Sequence, residues 1–239
     1  MQYNLIDKIN SPEDVKKLSE KEIEPLCEEI RGFLVENVEK SGGHLASNLG
    51  VVELTVAMHR VFDSPKDHII FDVGHQSYVH KILTGRKSGF DTLRKFGGLS
   101  GFTKMSESKH DAFGAGHSST SVSAALGYAE TDKLKGSDAY TVAVMGDGAY
   151  TGGMIHEALN NVSSHLRLII ILNENEMSIS KNVGRFANHM AKMRRKAGYF
   201  RAKQHTARFI QKIPLIGKGL FSAMKGVKKS FKNAEKCLF

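Results

Sequence analysis

GDGAYTGGMIHEALNNVSSHLRLIIILNENEM, from Gly146 to Met177, decides how this chain folds. Just before it, Tyr140–Met145 (YTVAVM) is an apolar, β-branched run of strand length that stops at a Gly-Asp-Gly turn. A helix is expected next, from about Thr151 to Ser163, because Met154, Ile155, Ala158, Leu159 and Val162 recur at helical spacing. Leu168–Leu172 (LIIIL) then reads as a second buried strand. Strand, helix and strand make one right-handed crossover, so the two strands should be parallel and adjacent. Asp147 and Asn175 therefore fall on the same edge of the sheet.

Ligands of open α/β sheets sit outside the carboxyl ends of the strands, where loops and helix N-termini converge. Gly146 and Gly148 would let the backbone approach an anion, and the following helix offers free N–H groups with a favourable dipole. The Asp147 carboxylate and the Asn175 amide oxygen are hard ligands suited to Mg²⁺, which keeps phosphate oxygens and water in the rest of its octahedron. A bare GDG is also a common surface turn. The second strand and Asn175, 28 positions after Asp147, favour the metal-diphosphate reading.

Elsewhere the chain alternates strands and helices, so the expected fold class is α/β, a parallel sheet flanked by helices. Ser11-Pro12-Glu13 and the capping box Ser19-x-x-Glu22 start a long helix that ends near Gly42-Gly43. The loop that follows carries His44, Ser47 and Asn48 and leads into a helix, Val52–Phe62. Ile69–Val73 (IIFDV) is a short strand whose end delivers His75, and Gly114–Ser118 precedes a helix, Ser119–Lys135.

The segments SGGHLASNLG (41–50), FDVGHQSYVHKILTGR (71–86), GLSGFTK (98–104), GAGHSSTSVSAALG (114–127), GDGAYTGGM (146–154) and LNENEMSISKNVG (172–184) together resemble the 1-deoxy-D-xylulose-5-phosphate synthase family of transketolase-like enzymes. The resemblance implies a thiamin-diphosphate-binding fold, here its diphosphate domain, incomplete at the C-terminal end. It implies that His75, Gly116, His117, Ser118, Gly148, Ala149 and Asn175 contact thiamin diphosphate. Mg²⁺ would be held by Asp147, Asn175 and the main-chain carbonyl of Met177. His44 falls in the loop the family sets beside the reacting carbon, where an imidazole can move protons near neutral pH. His80 lies close by in sequence, while His59, His68, His110, His156, His165, His189 and His205 read as solvated or structural.

The implied reaction is decarboxylative condensation of pyruvate with D-glyceraldehyde 3-phosphate, which feeds isoprenoid, thiamin and pyridoxal synthesis. Family members are more than twice this long. The pyrimidine-binding and C-terminal domains are therefore expected to be absent, the former supplied in cis or in trans. A chain of this kind is expected to be inactive alone; the full-length family implies a homodimer. Two other readings stand beside it: the N-terminal subunit of a split transketolase-like enzyme, and a non-catalytic remnant that binds polyanions.

Charge divides the 239 residues sharply. Residues 181–239 hold 16 Lys and Arg against one acid, Glu235, a net +15, whereas residues 1–180 carry 18 basic and 24 acidic residues, a net −6. The expected domains are accordingly a diphosphate- and Mg²⁺-binding body, 1–184, and a basic, helical, mobile tail, 185–239. Such a tail could meet nucleic acid or an anionic membrane. The plainer reading lays it over the acidic body or an absent domain, with neither nucleic acid nor membrane as partner. The polar N-terminus, the lack of a long apolar run, and only two cysteines without metal-type spacing point to a cytoplasmic protein, with Cys27 as a packed thiol.

Overall fold

Three parallel strands form the sheet, in the order β1 (His68–Phe71), β2 (Thr141–Gly146), β3 (Leu168–Asn173). They belong to a computed structural model that describes residues 3–173 of the chain. Asn175, Met177, Cys237, His189, His205 and the expected tail at 185–239 lie outside the described residues. Register pairs Phe71 with Val144 and Gly146 with Asn173, so all three strands exit on one edge. The expected crossover is present, and β2 and β3 are neighbours.

Around the sheet stand α1 (Pro12–Lys17), α2 (Glu20–Ser41), α3 (Leu45–Leu49), α4 (Val52–Val61), α5 (Tyr78–Lys81), α6 (Ser121–Leu134), α7 (Asp147–Tyr150) and α8 (Gly153–Asn160). Strand side chains alternate between faces. Ile70, Ala143 and Met145 pack with Val122 and Ala125 of α6 and Ile155 and Ala158 of α8. On the opposite face Ile69, Phe71, Val142 and Val144 pack with Met58 of α4. Each fully buried aliphatic side chain contributes about 1.5–3 kcal/mol, so both faces hold helices firmly. A separate cluster joins α2, α4 and α5 through Leu26, Cys27, Ile30, Leu34, Val56 and Val79. Burial pushes the Cys27 thiol up to about 12, which leaves it protonated and inert.

Two expected helices are divided. The long first helix is α1 followed by α2, because Leu18 is extended (ψ 140°) and Ser19 must be extended to cap α2. The Ser19 hydroxyl and amide both meet the Glu22 carboxylate, at 2.6 and 2.8 Å. Gly42 ends α2 at φ +71°, its N–H bonded to the Val38 carbonyl at 2.8 Å. The helix expected from Thr151 to Ser163 begins earlier and ends sooner: α7 starts at Asp147, Gly152 is extended (ψ 145°), and α8 stops at Asn160. Strand β1 stops two residues short of Val73, which takes φ +61° ahead of Gly74 at φ +84°. A side chain at Gly74 would also meet the Thr103 amide nitrogen at 2.9 Å.

Candidate functional site

The strand exits deliver Asp72 and His75 after β1, and Asp147, Gly148 and Ala149 after β2. Asp147 accepts the Gly148 N–H through Oδ1 at 2.8 Å, while its Oδ2 is buried with no partner among the described residues. A buried, unpartnered carboxylate oxygen is costly unless something absent from the chain completes it. Among the described residues no group of three His, Cys, Asp or Glu side chains could hold a metal by itself. One carboxylate facing phosphate oxygens and water is the donor set of Mg²⁺, and the lone Asp147 fits it. Among the described residues, nothing lies within 4 Å of where a side chain would stand at Gly116 or Gly146. Packing inside the chain does not demand glycine there, whereas an anion held against the backbone would.

His44 and His75 come together, their rings 5.2 Å apart edge to face, with Phe102 6.0 Å from His44. Asn48 makes this possible: its Nδ2 donates to the carbonyls of His44 at 2.7 Å and His75 at 2.8 Å, and its Oδ1 accepts the Tyr78 N–H at 2.9 Å. Burial, with the Arg94 charge, holds the His44 imidazole below its ordinary pKa. Burial and His44 do the same to His75. Both rings are thus neutral near pH 7, and each has a buried Nδ1 without a partner among the described residues.

Gly116, His117 and Ser118 are exposed ahead of α6, and His117 Nδ1 donates to the Ser118 carbonyl at 2.8 Å, which leaves Nε2 for a ligand. Ala149 is buried among core side chains, so only its backbone could face a ligand. His80, which the sequence places close to His75, is fully buried, 2.9 Å from His59 and 3.2 Å from Asp111, and so pairs with these residues. His68 meets Asp132 at 3.1 Å, and His110 meets Ser64 at 3.0 Å.

Sequence reasoning placed Asn48 in the loop with His44 and Ser119 at a helix start, but gave neither a role, and it passed over Asp72. Asp72 had a signal, since it follows β1 much as Asp147 follows β2. Asn48 and Ser119 had none, because their bonds run to distant segments.

A family profile described as 1-deoxy-D-xylulose-5-phosphate synthase matches residues 6–239. Curated relatives of that description include the protein of Caldanaerobacter subterraneus subsp. tengcongensis, 57% identical over 229 residues, covering 95% of this chain and 37% of that protein. The protein of Alkaliphilus oremlandii is 54% identical over 231 residues, covering 96% of this chain and 37% of its own length. This chain therefore spans about 37% of the length of these relatives. Among solved structures, a transketolase from Leishmania mexicana superposes with a TM-score of 0.58 at 20% identity, over 71% of this chain and 30% of that one. At that identity the likeness concerns the fold.

Proposed function

We propose a function on one premise: this chain belongs to the 1-deoxy-D-xylulose-5-phosphate synthase family. It forms the diphosphate- and Mg²⁺-binding part of a transferase of the transketolase class, which condenses pyruvate with D-glyceraldehyde 3-phosphate with loss of CO₂. The observation that carries this reading is the Asp147 carboxylate at the exit of β2, with its buried Oδ2 unpartnered beside the exit of β3.

Asp147 would hold Mg²⁺ through Oδ2, and Asn175 and the Met177 carbonyl, which lie outside the described residues, would supply the other protein ligands that the family implies. Gly116, His117, Ser118, Gly148 and the Ala149 backbone line the diphosphate. His75 anchors the cofactor, and neutral His44 takes up or returns a proton on the substrate side. When bound, thiamin diphosphate supplies the reactive carbon that pyruvate's carbonyl requires. The pyrimidine half of the cofactor is held by family architecture beyond these 239 residues, in cis or in trans, within a homodimer.

Calorimetric titration of the chain with thiamin diphosphate tests the reading. Binding that requires Mg²⁺ and disappears in Asp147→Ala, with the fold intact by circular dichroism, supports it. Equal affinity with and without Mg²⁺, or in both proteins, overturns it.

A further inference from the structure

Ser119 is the one non-glycine residue with positive φ at the carboxyl edge between Gly116 and Ala149, at +70°. Such a backbone costs a serine free energy that a glycine would not pay, and it persists only where the surroundings over-determine it. Two hydrogen bonds and one close approach do so. Its N–H donates to Asp72 Oδ1 at 2.7 Å, its hydroxyl donates to the Ala149 carbonyl at 2.7 Å, and a side chain at Gly152 would stand 1.9 Å from its Oγ. Asp72 is itself pinned. Its N–H extends the sheet ladder to the Val144 carbonyl at 2.7 Å, and its Oδ2 accepts the Ser121 N–H at 2.9 Å.

The start of α6 is therefore served by Asp72, and the Ser119 hydroxyl is not needed as a cap. What the hydroxyl joins is different: the segment Gly116–Ser118, which immediately precedes it, and the turn Asp147–Ala149. These are the two halves of the pocket proposed above. Resting on that reading, we infer that Ser119, held by Asp72, is a positioning residue that sets the spacing of the two halves so that both close on one diphosphate.

Ser119→Gly in the full 239-residue chain separates positioning from mere stability. Glycine suits φ +70°, and the strain it relieves offsets part of the cost of the lost hydroxyl bond, so the melting temperature should fall less than in Ser119→Ala. Loss of the hydroxyl should nevertheless speed amide hydrogen exchange several-fold across 147–152. It should also weaken Mg²⁺-dependent thiamin diphosphate binding about tenfold, as loss of an orienting partner does. Ser119→Ala keeps the strain and should show the same exchange and affinity changes with a lower melting temperature. Unchanged exchange across 147–152 in Ser119→Gly overturns the coupling, whatever the cofactor does. Faster exchange with unchanged affinity overturns its role in the pocket. If the unaltered chain binds no thiamin diphosphate, the cofactor reading falls and the exchange result alone judges the coupling.

Discussion

Arg86 grips Asp111 with two guanidinium nitrogens, Nη2 to Oδ1 at 2.8 Å and Nη1 to Oδ2 at 2.9 Å, and Asp111 is closed to solvent. Asp111 Oδ2 also accepts the Lys104 N–H at 2.8 Å. Beside it, fully buried Lys81 meets Glu107 Oε2 at 2.5 Å, and Glu107 Oε1 accepts the Ser100 N–H at 2.7 Å. The two carboxylates thus staple the main chain of 100–111 from behind. The same segment presents Phe102 to His44 and the Thr103 amide to Gly74. Burial alone would raise the Asp111 carboxyl, but bonds from His80 and Arg86 outweigh it and hold it well below the usual carboxylate range.

Removing one member should expose that dependence. Arg86→Met leaves a buried carboxylate without its counter-charge and should cost about 3–5 kcal/mol in urea unfolding. Arg86→Met combined with Asp111→Asn should recover much of the loss, since no charge then stays unpaired. A single variant as stable as the unaltered chain would show that the ion pair does not hold the segment.

Acid should weaken the fold well before the carboxylates titrate. His59 and His80 are buried and bonded at 2.9 Å, and burial, with neighbouring positive groups, holds His59 well below its ordinary pKa; burial also lowers His80. With the His80 Nε2–H directed to Asp111, Nδ1 of His80 accepts the His59 Nε2–H, and both rings are neutral. The unfolded chain takes up these protons near pH 6.5 while the folded chain resists. Stability is therefore complete above about pH 6.5 and falls as pH drops below it, by at most about 1.4 kcal/mol per pH unit for each site. His110, lowered to about 4 chiefly by burial, acts in the same window. Urea midpoints from pH 7.5 to 5 should fall, and less steeply in His59→Gln. An unaltered slope in that variant would exclude His59 from the effect.

The sheet was legible because apolar runs of strand length and the crossover rule fix order and direction together. Where β1 would stop was not, since nothing in FDVG announces that Val73 takes a left-handed backbone. The α1–α2 break was written in the Ser19 capping box, which needs an extended residue before Glu20. The burial of His80 was not legible, because α5 is a single turn whose four residues are all buried, so it has no polar face for a pattern to reveal. Asp72 reaches an amide 47 residues away, a pairing that spacing along the chain cannot show.

Asn48 should matter to both site histidines at once. Its buried amide serves the carbonyls of His44 and His75 and the Tyr78 N–H, and Asn48→Ala strands all three. Each stranded group costs about 1–3 kcal/mol if it stays dry. The variant should melt lower, and the His44 and His75 imidazoles should titrate closer to pH 6.5 by NMR as the loop loosens and water enters. Unmoved imidazole titrations would mean that Asn48 does not hold the pair.

His44 and His75 should separate chemistry from anchoring. His44 stands at the N-terminal end of α3 between Phe102 and His75, and its lowered pKa leaves a free base at neutral pH. If it moves a proton in the reaction, His44→Asn in the enzyme assembled with the rest of the family architecture should lose about a hundredfold in kcat, with cofactor affinity unchanged. His75→Asn should instead weaken cofactor binding with a smaller effect on kcat at saturation. The acid limb of the pH–rate profile should lie below pH 6.5, because protonation of His44 removes the base, and it should vanish in His44→Asn. Residues 1–239, which span 37% of the relatives' length, should give no product alone. Mass-spectrometric detection of 1-deoxy-D-xylulose 5-phosphate decides these points, and an undiminished kcat in His44→Asn would remove His44 from the reaction.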